Sequence, residues 1–489
     1  MHPLSLRRTK IIATLGPATD ASGMLLTLIR EGVDVVRLNF SHGEPQDHVK
    51  RVRAVRAAAQ QAGREVAVLG DLQGPKIRIR RFVDGAVELQ TGAPFVLDCD
   101  PDAAAGDRGR VGVLYFDLYR DVRSGDTLLL DDGLIALKVR EIIGREIHTI
   151  VLTGGKLSDR KGINRLGGGL TVAALTDKDR EDIKLAAELN VDYVAVSFCK
   201  CAEDMHETRR LLREAGSNAH LVAKIERSEA IENLTEIIEA SDVIMVARGD
   251  LAVEIGDAEL PGLQKKIIRE SIRGHKAVIT ATQMMQSMVE SPMPTRAEVL
   301  DVANAVLDGT DAVMLSQETA AGRHPALAVA AMARVCLGAE RQFEPVDEVL
   351  PMRSKIERPD QAIAMAAMYL ATHVNLRAII ALTESGGTAR WLSRFRSKVP
   401  IYALSRHQAS RQRMAMYRDV YPVAFDAPDF NPVHTVRDAV QHLFLLGSLS
   451  EGDRVLLTVG DHVGELGGTN TLKLLKVGPH GIAEGMADL

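Results

Sequence analysis

The chain has 489 residues, enough for about three domains at roughly 150 residues each. Hydrophobic residues make up 46% and charged residues 26%, a globular composition that excludes a disordered or fibrous chain. Because 60 Lys and Arg face 65 Asp and Glu, the net charge of −5 gives no case for nucleic acid or an anionic membrane as the main partner.

The cysteines indicate a reducing setting. Four cysteines at irregular spacing are too few for a disulfide framework, so we expect a cytoplasmic protein. Cys199 and Cys201 could ligate a metal, but no second Cys/His pair follows at a zinc-site spacing. We find neither a secretory signal nor an apolar run of the roughly 20 residues that span a bilayer, so no membrane partner is expected.

Eight short apolar runs recur between helix-like stretches. They are too short for helices and apolar on both faces, which is typical of parallel strands buried by crossover helices. The intervening segments carry helix signals, such as Thr176 and Asp179 in capping-box spacing. The predicted fold class is therefore α/β, with a (β/α)8 TIM barrel. The runs are IIATLG, VDVVRLNF, EVAVLGDL, DYVAVSF, HLVAKIE, DVIMVARGD, KAVITATQ and DAVMLSQET.

Two further stretches break this rhythm. Residues 75–170 alternate strand-like pieces with turns, which predicts an inserted small β-barrel domain. It would hang at the C-terminal ends of the barrel strands and act as a lid over residues 1–74 and 171–342, the barrel itself. After a linker over residues 343–360, a new β/α alternation predicts a C-terminal α/β regulatory domain, residues 343–489, with a doubly wound sheet.

Polar side chains end the barrel strands, although a purely structural barrel needs only turn formers there. Glu226 and Asp250 on neighbouring strands could hold a hard divalent ion. Lys224 lies two residues before Glu226 and would aim an ammonium at that ligand, and Arg37 adds a fork suited to phosphate. Together they predict phosphoryl transfer. The full strand-end set is Thr14, Arg37, Asn39, Ser41, Asp71, Ser197, Lys224, Glu226, Arg248, Asp250, Thr282, Ser316 and Glu318.

Each of these residues also has a bland interpretation. Lys224 and Glu226 could form an ordinary rim salt bridge, and Asp250 could be a helix N-cap. Thr282 and Ser316 could likewise be caps, and residues 39–42 an Asx-type turn.

A nucleotide would not be gripped by a Walker loop here. The sequence has no GxxxxGK[ST] motif, and Gly167, Gly168 and Gly169 neither follow a core strand nor open a helix. Arg78 and Lys161 lie at the two junctions of the insertion, so a closing lid would bring their positive charge to the nucleotide phosphates.

Nine long motifs in one order carry a family resemblance: TKIIATLGPAT, VVRLNFSHG, GDLQGPKIR, KGIN, VAKIERSEA, IMVARGDLAVEIG, ITATQMMQSM, PTRAEVLDVANAVLDGTDAVMLSQETA and TESGGTA. Over essentially its whole length the chain resembles the pyruvate kinases, which implies transfer of the phosphoryl group of phosphoenolpyruvate to ADP, giving pyruvate and ATP in the last step of glycolysis. The resemblance also implies a homotetramer that uses Mg²⁺, for which Mn²⁺ is expected to substitute.

The resemblance also implies roles for single residues. Lys224 matches the group that stabilises the moving phosphoryl, and Glu226 and Asp250 match the Mg²⁺ ligands. Ser316 and Glu318 match a pair proposed to relay a proton through water. Phosphoenolpyruvate would be held by Arg37, Lys224, Gly249, Asp250 and Thr282, and the nucleotide phosphates by Asn39, Phe40, Ser41, His42, Arg78 and Lys161.

The monovalent-cation positions differ from the usual family pattern. Many pyruvate kinases bind K⁺ through positions matching Asn39, Ser41, Asp71 and the next residue, with Thr at position 72 and Glu at position 76. This chain has Leu72 and Lys76 instead. We expect the lysine to supply a tethered charge, so that K⁺ is not required; the alternative is that Lys76 points to solvent. Ala252 stands where the family usually has Gly, and Arg227 stands where it often has Asn.

A strand-to-helix turn in the C-terminal domain predicts a phosphate cradle built from hydroxyls, glycines and a helix N-terminus. A simple helix cap is the alternative. The matching family loop binds an allosteric sugar phosphate, so activation by such a compound is expected. The turn consists of Thr383, Glu384, Ser385, Gly386, Gly387 and Thr388.

The sequence leaves two competing functions open. An aldolase-type lyase acting on phosphoenolpyruvate or a 2-oxo acid would explain Glu226 and Asp250, but not Lys224 or the cationic lid junctions. A non-enzymatic sugar-phosphate sensor would use only the C-terminal domain and leave the strand-end residues unexplained.

Overall fold

The computed structural model describes residues 6–342, 356, 358–427, 431–461 and 467–485. Most of the predicted linker, residues 343–355 and 357, lies outside this part of the chain. Within it, no helix has both the length and the apolar character needed to cross a bilayer.

The first barrel elements follow the predicted pattern. The β1 and β3 strands are buried at every position, because an apolar run in a closed barrel is covered on both faces. Helix α2 begins with Pro45 as its first residue and ends before its C-cap Gly63, whose φ of 62° is left-handed. These elements are β1 (Lys10–Thr14), α1 (Met24–Glu31), β2 (Val35–Asn39), α2 (Pro45–Ala62) and β3 (Ala67–Asp71).

The insertion forms a six-stranded sheet, β11-β7-β8-β9-β5-β6, and a separate β10-β4 pair. It has its own apolar core, extending from Ile77 to Leu170. The larger sheet has two edge strands, β11 and β6, so it is not the closed small barrel that the sequence predicts for the insertion. Residues 78–82 bridge the two edges only in part, through isolated pairings of Arg78 with Gly162 and of Ile79 with Val113. The elements are β4 (Ala86–Leu89), β5 (Pro94–Asp98), β6 (Arg110–Gly112), α3 (Leu118–Asp121), β7 (Thr127–Leu130), β8 (Ile135–Ile143), β9 (Glu146–Thr153), β10 (Gly155–Ser158) and β11 (Ile163–Arg165).

The chain then resumes the barrel. Thr176 and Asp179 form the predicted capping box, with backbone-to-side-chain distances of 2.8 and 3.1 Å. The elements are α4 (Asp177–Glu188), β12 (Tyr193–Val196), α5 (Ala202–Glu214), β13 (His220–Ile225), α6 (Ser228–Glu232), α7 (Leu234–Ala240), β14 (Val243–Ala247), α8 (Arg248–Ile255), α9 (Leu260–Arg273), β15 (Ala277–Ala281), α10 (Arg296–Asp308), β16 (Ala312–Leu315), α11 (Gln317–Ala320) and α12 (Pro325–Gln342).

All eight predicted runs are barrel strands. They close in the order β1-β16-β15-β14-β13-β12-β3-β2, and the registers of β1 with β16 and of β13 with β14 are parallel. The TIM-barrel prediction is therefore confirmed. The chain divides into two compact units, one of Met1–Gly70, Leu189–Tyr193 and Ser271–Leu489, the other of Asp71–Glu188 and Val194–Glu270.

The C-terminal region is an α/β sheet in the order β19-β18-β17-β20-β21-β22. Strands β19, β18, β17 and β20 pair in parallel. At one edge, β21 pairs antiparallel with β20, and β22 pairs antiparallel with β21. Sequence patterns predicted β17, β18 and β20 but not β19, β21 or β22. The elements are α13 (Pro359–His373), β17 (Ala378–Leu382), α14 (Gly387–Ser393), β18 (Ile401–Ser405), α15 (Gln408–Met414), β19 (Val420–Ala424), α16 (Pro432–Leu445), β20 (Arg454–Gly460), β21 (Thr469–Val477) and β22 (Ala483–Gly485).

Candidate active site

Lys224 lies at the end of β13 with its ammonium among three oxygen atoms. Its Nζ is 2.9 Å from Glu226 Oε1, 3.3 Å from Asp71 Oδ1 and 2.7 Å from Ser197 Oγ. The Lys224 side chain is only 12% exposed and that of Glu226 only 2%. The interpretation as an ordinary rim salt bridge is therefore wrong, because burial holds both charges in a fixed, water-poor place.

Glu226 uses both of its carboxylate oxygens. Oε1 meets Lys224, and Oε2 accepts a 2.9 Å hydrogen bond from the Phe198 backbone N–H. Phe198 has a left-handed φ of 56°, a strained conformation of the kind that clusters at functional sites. Burial raises the pKa of Glu226, which Lys224 opposes and the nearby Asp250 and Asp71 carboxylates reinforce.

Asp250 lies in the first turn of α8, because that helix begins at Arg248 directly after β14. Gly249 lies in the same turn. The N-cap interpretation of Asp250 is wrong, since the cap position is Ala247. Asp250 Oδ1 is 3.0 Å from Lys76 Nζ.

Lys76 does not point to solvent. Its side chain is 26% exposed and also lies 3.7 Å from Asp132 Oδ1, in the turn between β7 and β8. Although burial lowers the pKa of Lys76, Asp250 and Asp132 outweigh that effect and raise it. The lysine is therefore a fixed cation at Asp250.

The donor chemistry here fits a hard divalent cation. Asp71 and Asp250 each act electrostatically on Glu226, and two lysines face these three carboxylates, which leaves an excess of negative charge. Among the described residues no three His, Cys, Asp or Glu side chains form a ready metal cluster. Glu226 and Asp250 would thus be the protein's share of an Mg²⁺ shell, the remainder coming from substrate oxygens and water.

The cationic residues at the lid junctions have acidic or backbone partners. Lys161 Nζ is 2.7 Å from Asp131 Oδ1, and Arg78 donates a 3.0 Å hydrogen bond to the Arg160 carbonyl. Asp131 and Asp132 both have a φ of 53°. The sequence does not single out these two aspartates, because Asp-Asp-Gly is an ordinary turn sequence and two consecutive non-glycine residues with positive φ are visible only in the structure.

In the other compact unit, Arg37 lies on β2. Its Nη1 is 3.2 Å from Thr14 Oγ1, and Thr14 in turn donates to the Leu315 carbonyl at 2.9 Å. Three strand ends are thereby linked by side chains. The residues that follow Arg37 form the Asx-type turn, since Asn39 Oδ1 accepts a 3.1 Å hydrogen bond from Ser41 N and the His42 N–H donates to the Asn39 carbonyl.

Two residues have side chains in the core: Phe40, predicted to meet the nucleotide, and Leu72, at a family K⁺ position. Phe40 is 2% exposed, and its ring stands edge-on to His48 at 5.0 Å and covers Gly70. Leu72 is 1% exposed, and its carbonyl accepts a hydrogen bond from Ser197 Oγ. Because both side chains are buried, a ligand at either position would contact backbone atoms, and the two assignments stay predictions.

Thr282 follows β15 with a φ of 69°, rare for a β-branched residue, and its hydroxyl donates to the Ala281 carbonyl at 2.6 Å. Ser316 precedes α11, but its side chain makes no cap hydrogen bond. Glu318 is fully buried, and its two oxygens accept hydrogen bonds from the Ser316 and Met285 N–H groups at 2.7 and 3.1 Å. The Glu318 carboxylate therefore has a structural role, because it holds the backbone at Ser316 and Met285.

The predicted phosphate turn lines a cleft in the C-terminal domain, together with Arg358 and Arg406. Thr383 Oγ1 accepts a 3.0 Å hydrogen bond from the N–H of Gly386, whose φ is 85°. Ser385 and Gly387 also lie at the cleft, and Thr388 bonds Thr469 rather than capping α14. Glu384 lies 2.6 Å from His407 and 3.2 Å from Arg406.

The fold and these strand-end groups define a class of phosphotransferase with a barrel and a C-terminal α/β domain. Family models agree with that class: "Pyruvate kinase, barrel domain" matches residues 6–329, and "Pyruvate kinase, alpha/beta domain" matches residues 361–475. The chain belongs to the pyruvate kinase family.

Curated relatives agree along nearly the whole chain. It is 54% identical over 478 residues to "Pyruvate kinase II" of Salmonella typhimurium, covering 96% of this chain and 99% of the relative. It is 51% identical over 459 residues to a pyruvate kinase of Haemophilus influenzae, covering 93% and 96%. A pyruvate kinase of Geobacillus stearothermophilus is 42% identical over 475 residues, covering 96% and 80%.

Proposed function

We propose that the enzyme transfers the phosphoryl group of phosphoenolpyruvate to ADP, in the last step of glycolysis. The bond from phosphorus to the enol oxygen breaks, a bond to the terminal oxygen of ADP forms, and protonation of the enolate carbon gives pyruvate. The observation that carries the proposal is the buried Lys224 ammonium, held by Asp71, Ser197 and Glu226, in a chain of this family. A preorganised cation of this kind stabilises charge on a moving phosphoryl group.

The other site residues are proposed to bind and orient the substrates. Arg37, Gly249 and Thr282 would hold phosphoenolpyruvate with Lys224 and Asp250. Thr282 would also help deliver the proton. Ser316 and Glu318 would form a second proton route through water, although both Glu318 oxygens already accept hydrogen bonds from backbone N–H groups. The nucleotide phosphates would be met by Asn39, Ser41, His42, Arg78 and Lys161 and by the backbone of Phe40.

Glu226 and Asp250 would hold Mg²⁺, or Mn²⁺ in its place, which when bound neutralises phosphate charge. We propose that K⁺ is not needed, because the Lys76 ammonium at Asp250 supplies a tethered monovalent cation.

Turnover tests the reaction directly. ATP formation from phosphoenolpyruvate, ADP and Mg²⁺ is expected, whereas aldehyde- or oxo-acid-dependent consumption of phosphoenolpyruvate without ATP would point to the aldolase-type alternative. The sensor alternative predicts sugar-phosphate binding without turnover.

Regulation by a sugar phosphate is proposed at residues 383–388. Support comes from the left-handed Gly386, the hydroxyls of Thr383 and Ser385 and the two arginines at the same cleft. A panel of hexose and pentose phosphates should include one that shifts the phosphoenolpyruvate saturation curve to lower concentration. An unmoved curve with every compound would contradict the proposal.

We further expect a homotetramer in a reducing cytoplasm. The four cysteines are all free, in agreement with that setting. Sedimentation equilibrium would measure the oligomeric state.

A further inference from the structure

The insertion returns to the barrel through a segment of unusual conformation. Gly167, Gly168 and Gly169 have φ values of 86°, 72° and 86°. Three consecutive left-handed residues are accessible to glycine without strain and to almost no other residue. Residues 165–172, here called the return segment, therefore have a defined path that the sequence encodes specifically.

One arginine and one glutamate bind the return segment at adjacent residues, Leu170 and Gly169. The Arg227 guanidinium, 2% exposed, donates to the Leu170 carbonyl at 2.7 Å and forms two bonds to the Glu229 carboxylate at 2.8 and 3.2 Å. Glu229 Oε1 in turn accepts a 2.7 Å hydrogen bond from Gly169 N. A Cβ at Gly168 would lie 1.8 Å from Ser228 Oγ, so the segment lies directly against this loop.

Residues 227–229 connect the return segment to β13, the strand that carries Lys224. Arg227 follows Glu226 immediately and is the N-cap residue of α6. Further contacts fix the same junction: the Gly167 N–H donates to the Glu254 carbonyl at 2.9 Å, and Lys200 Nζ donates to the Val172 carbonyl at 2.9 Å. Of these groups, Arg227 and Glu229 bind each other as well as the segment, Arg227 at the Leu170 carbonyl and Glu229 at the Gly169 N–H.

We propose that Arg227 and Glu229 are positioning residues that set the path of the return segment and, through it, the place of the insertion when a nucleotide binds. The inference rests on the proposed function, in which Arg78 and Lys161 of the insertion meet the nucleotide. Hinge positions of a lid change KM and kcat without touching substrate. Because the contacts to phosphoenolpyruvate are assigned to barrel residues, the binding of this substrate should not depend on Arg227 and Glu229.

A merely structural ion pair would behave differently. Its loss would lower stability and change the kinetics of both substrates alike, if at all. The chain offers a matched control in Arg209, which donates to the Ala240 carbonyl at 2.8 Å and to Asp242 at 3.1 Å. It makes the same combination of carbonyl and carboxylate contacts on α5, away from the insertion.

The test compares Arg227→Gln, Arg227→Lys and Arg209→Gln in the full-length enzyme. ADP is titrated at saturating phosphoenolpyruvate and the reverse, and melting temperatures are recorded. For Arg227→Gln we expect the KM for ADP to rise about tenfold, the scale of one lost charged hydrogen bond, with kcat reduced and the KM for phosphoenolpyruvate within twofold of wild type. Arg227→Lys should recover little, because an ammonium cannot replace the planar fork.

Arg209→Gln should keep both KM values while melting at a lower temperature. An unchanged KM for ADP in Arg227→Gln, or an equal rise for both substrates, would overturn the inference. Should Arg227→Gln fail to fold, Glu229→Gln decides by the same criteria, because it changes the other member of the pair. Absence of ATP formation by the wild-type enzyme would instead refute the proposed function, so the two failures are distinguishable.

Discussion

Lys76 and Asp250 form an ion pair, Nζ to Oδ1, of 3.0 Å, between the start of the insertion and the first turn of α8. A family position that often carries glutamate thus holds a cation whose partner is one of the two proposed Mg²⁺ ligands. With its pKa raised by Asp250 and Asp132, the ammonium stays charged throughout the physiological pH range.

The enzyme is expected to work without K⁺. A second monovalent cation about 4 Å from the Lys76 ammonium would be repelled by about 4 kcal/mol at an intermediate effective dielectric. Replacing K⁺ by a tetraalkylammonium ion at constant ionic strength should therefore leave kcat within about twofold of its value in K⁺, well under 1 kcal/mol. A severalfold rise in kcat on adding K⁺ would contradict this.

Lys76→Glu should move the enzyme towards K⁺ dependence, since the variant removes the tethered charge and adds a carboxylate. Leu72 could limit the effect, because its buried side chain offers no oxygen. The control is Lys156→Glu, the same charge reversal at an exposed position on β10. A K⁺ response shared by both variants would show that net charge, rather than the Asp250 pair, is responsible.

Lys224→Met is expected to lower kcat by about 10²–10³, the usual scale for one preorganised electrostatic contact. Mg²⁺ binding should persist, because Glu226 and Asp250 remain; Mn²⁺ titration followed by electron paramagnetic resonance would measure it. Lys184→Met removes an exposed ion pair with Glu181 and should leave kcat unchanged. Activity of Lys224→Met within a factor of two of wild type would end the assignment.

Much of the fold could be predicted because apolar runs and cap signals are local. All eight barrel strands and the capping box at Thr176 follow from patterns of a few residues. The partners of site residues depend on tertiary structure. No pattern indicated that Lys224 would be bound by Asp71, more than 150 positions earlier, at 3.3 Å.

Sequence patterns did not show which side chains near the site face the core or where its helices begin. Phe40 and Leu72 adjoin polar ligands in sequence, but alternate residues of a strand end face opposite ways, and these two side chains face the core. Asp250 follows a strand, which favours an N-cap interpretation, yet α8 begins two residues earlier. The exact start of a helix depends on packing that short patterns do not contain.

Arg394→Met should destabilise the protein strongly. Arg394 makes a two-pronged contact with Asp311, and both side chains are at most 3% exposed. Although burial raises the pKa of Asp311, Arg394 outweighs it and the pKa is lowered, so the variant leaves a buried charge uncompensated. The free energy of unfolding should fall by about 3–5 kcal/mol in urea titrations.

Two variants check the cause of that loss. Adding Asp311→Asn to Arg394→Met should recover part of it, because the orphaned charge disappears. Arg377→Met removes an exposed contact with Asp453 and should cost less than about 1 kcal/mol. Equal losses for Arg377→Met and Arg394→Met would contradict the argument.

Asp419→Asn should remove part of the pH dependence of stability. Asp419 is 1% exposed, has a φ of 66°, and neither carboxylate oxygen has a hydrogen-bond partner in the described chain; the nearest guanidinium nitrogens, from Arg8 and Arg418, are 3.8 Å away. Burial raises its pKa from 3.8 to about 6 despite these arginines. Between those pH values the folded state binds the proton and the unfolded state does not, so this residue's contribution to stability falls as pH rises from about 4 to about 6, by about 3 kcal/mol in all.

Asparagine resembles the protonated acid and tolerates positive φ, so the variant should lack this decline and be at least as stable as wild type at pH 7. Urea midpoints at pH 4.5 and 7 measure the difference, with the exposed Asp84→Asn keeping the wild-type slope. A variant that loses stability at pH 7 would show that the arginines stabilise the ionised Asp419 carboxylate by more than its burial costs, contrary to the raised pKa.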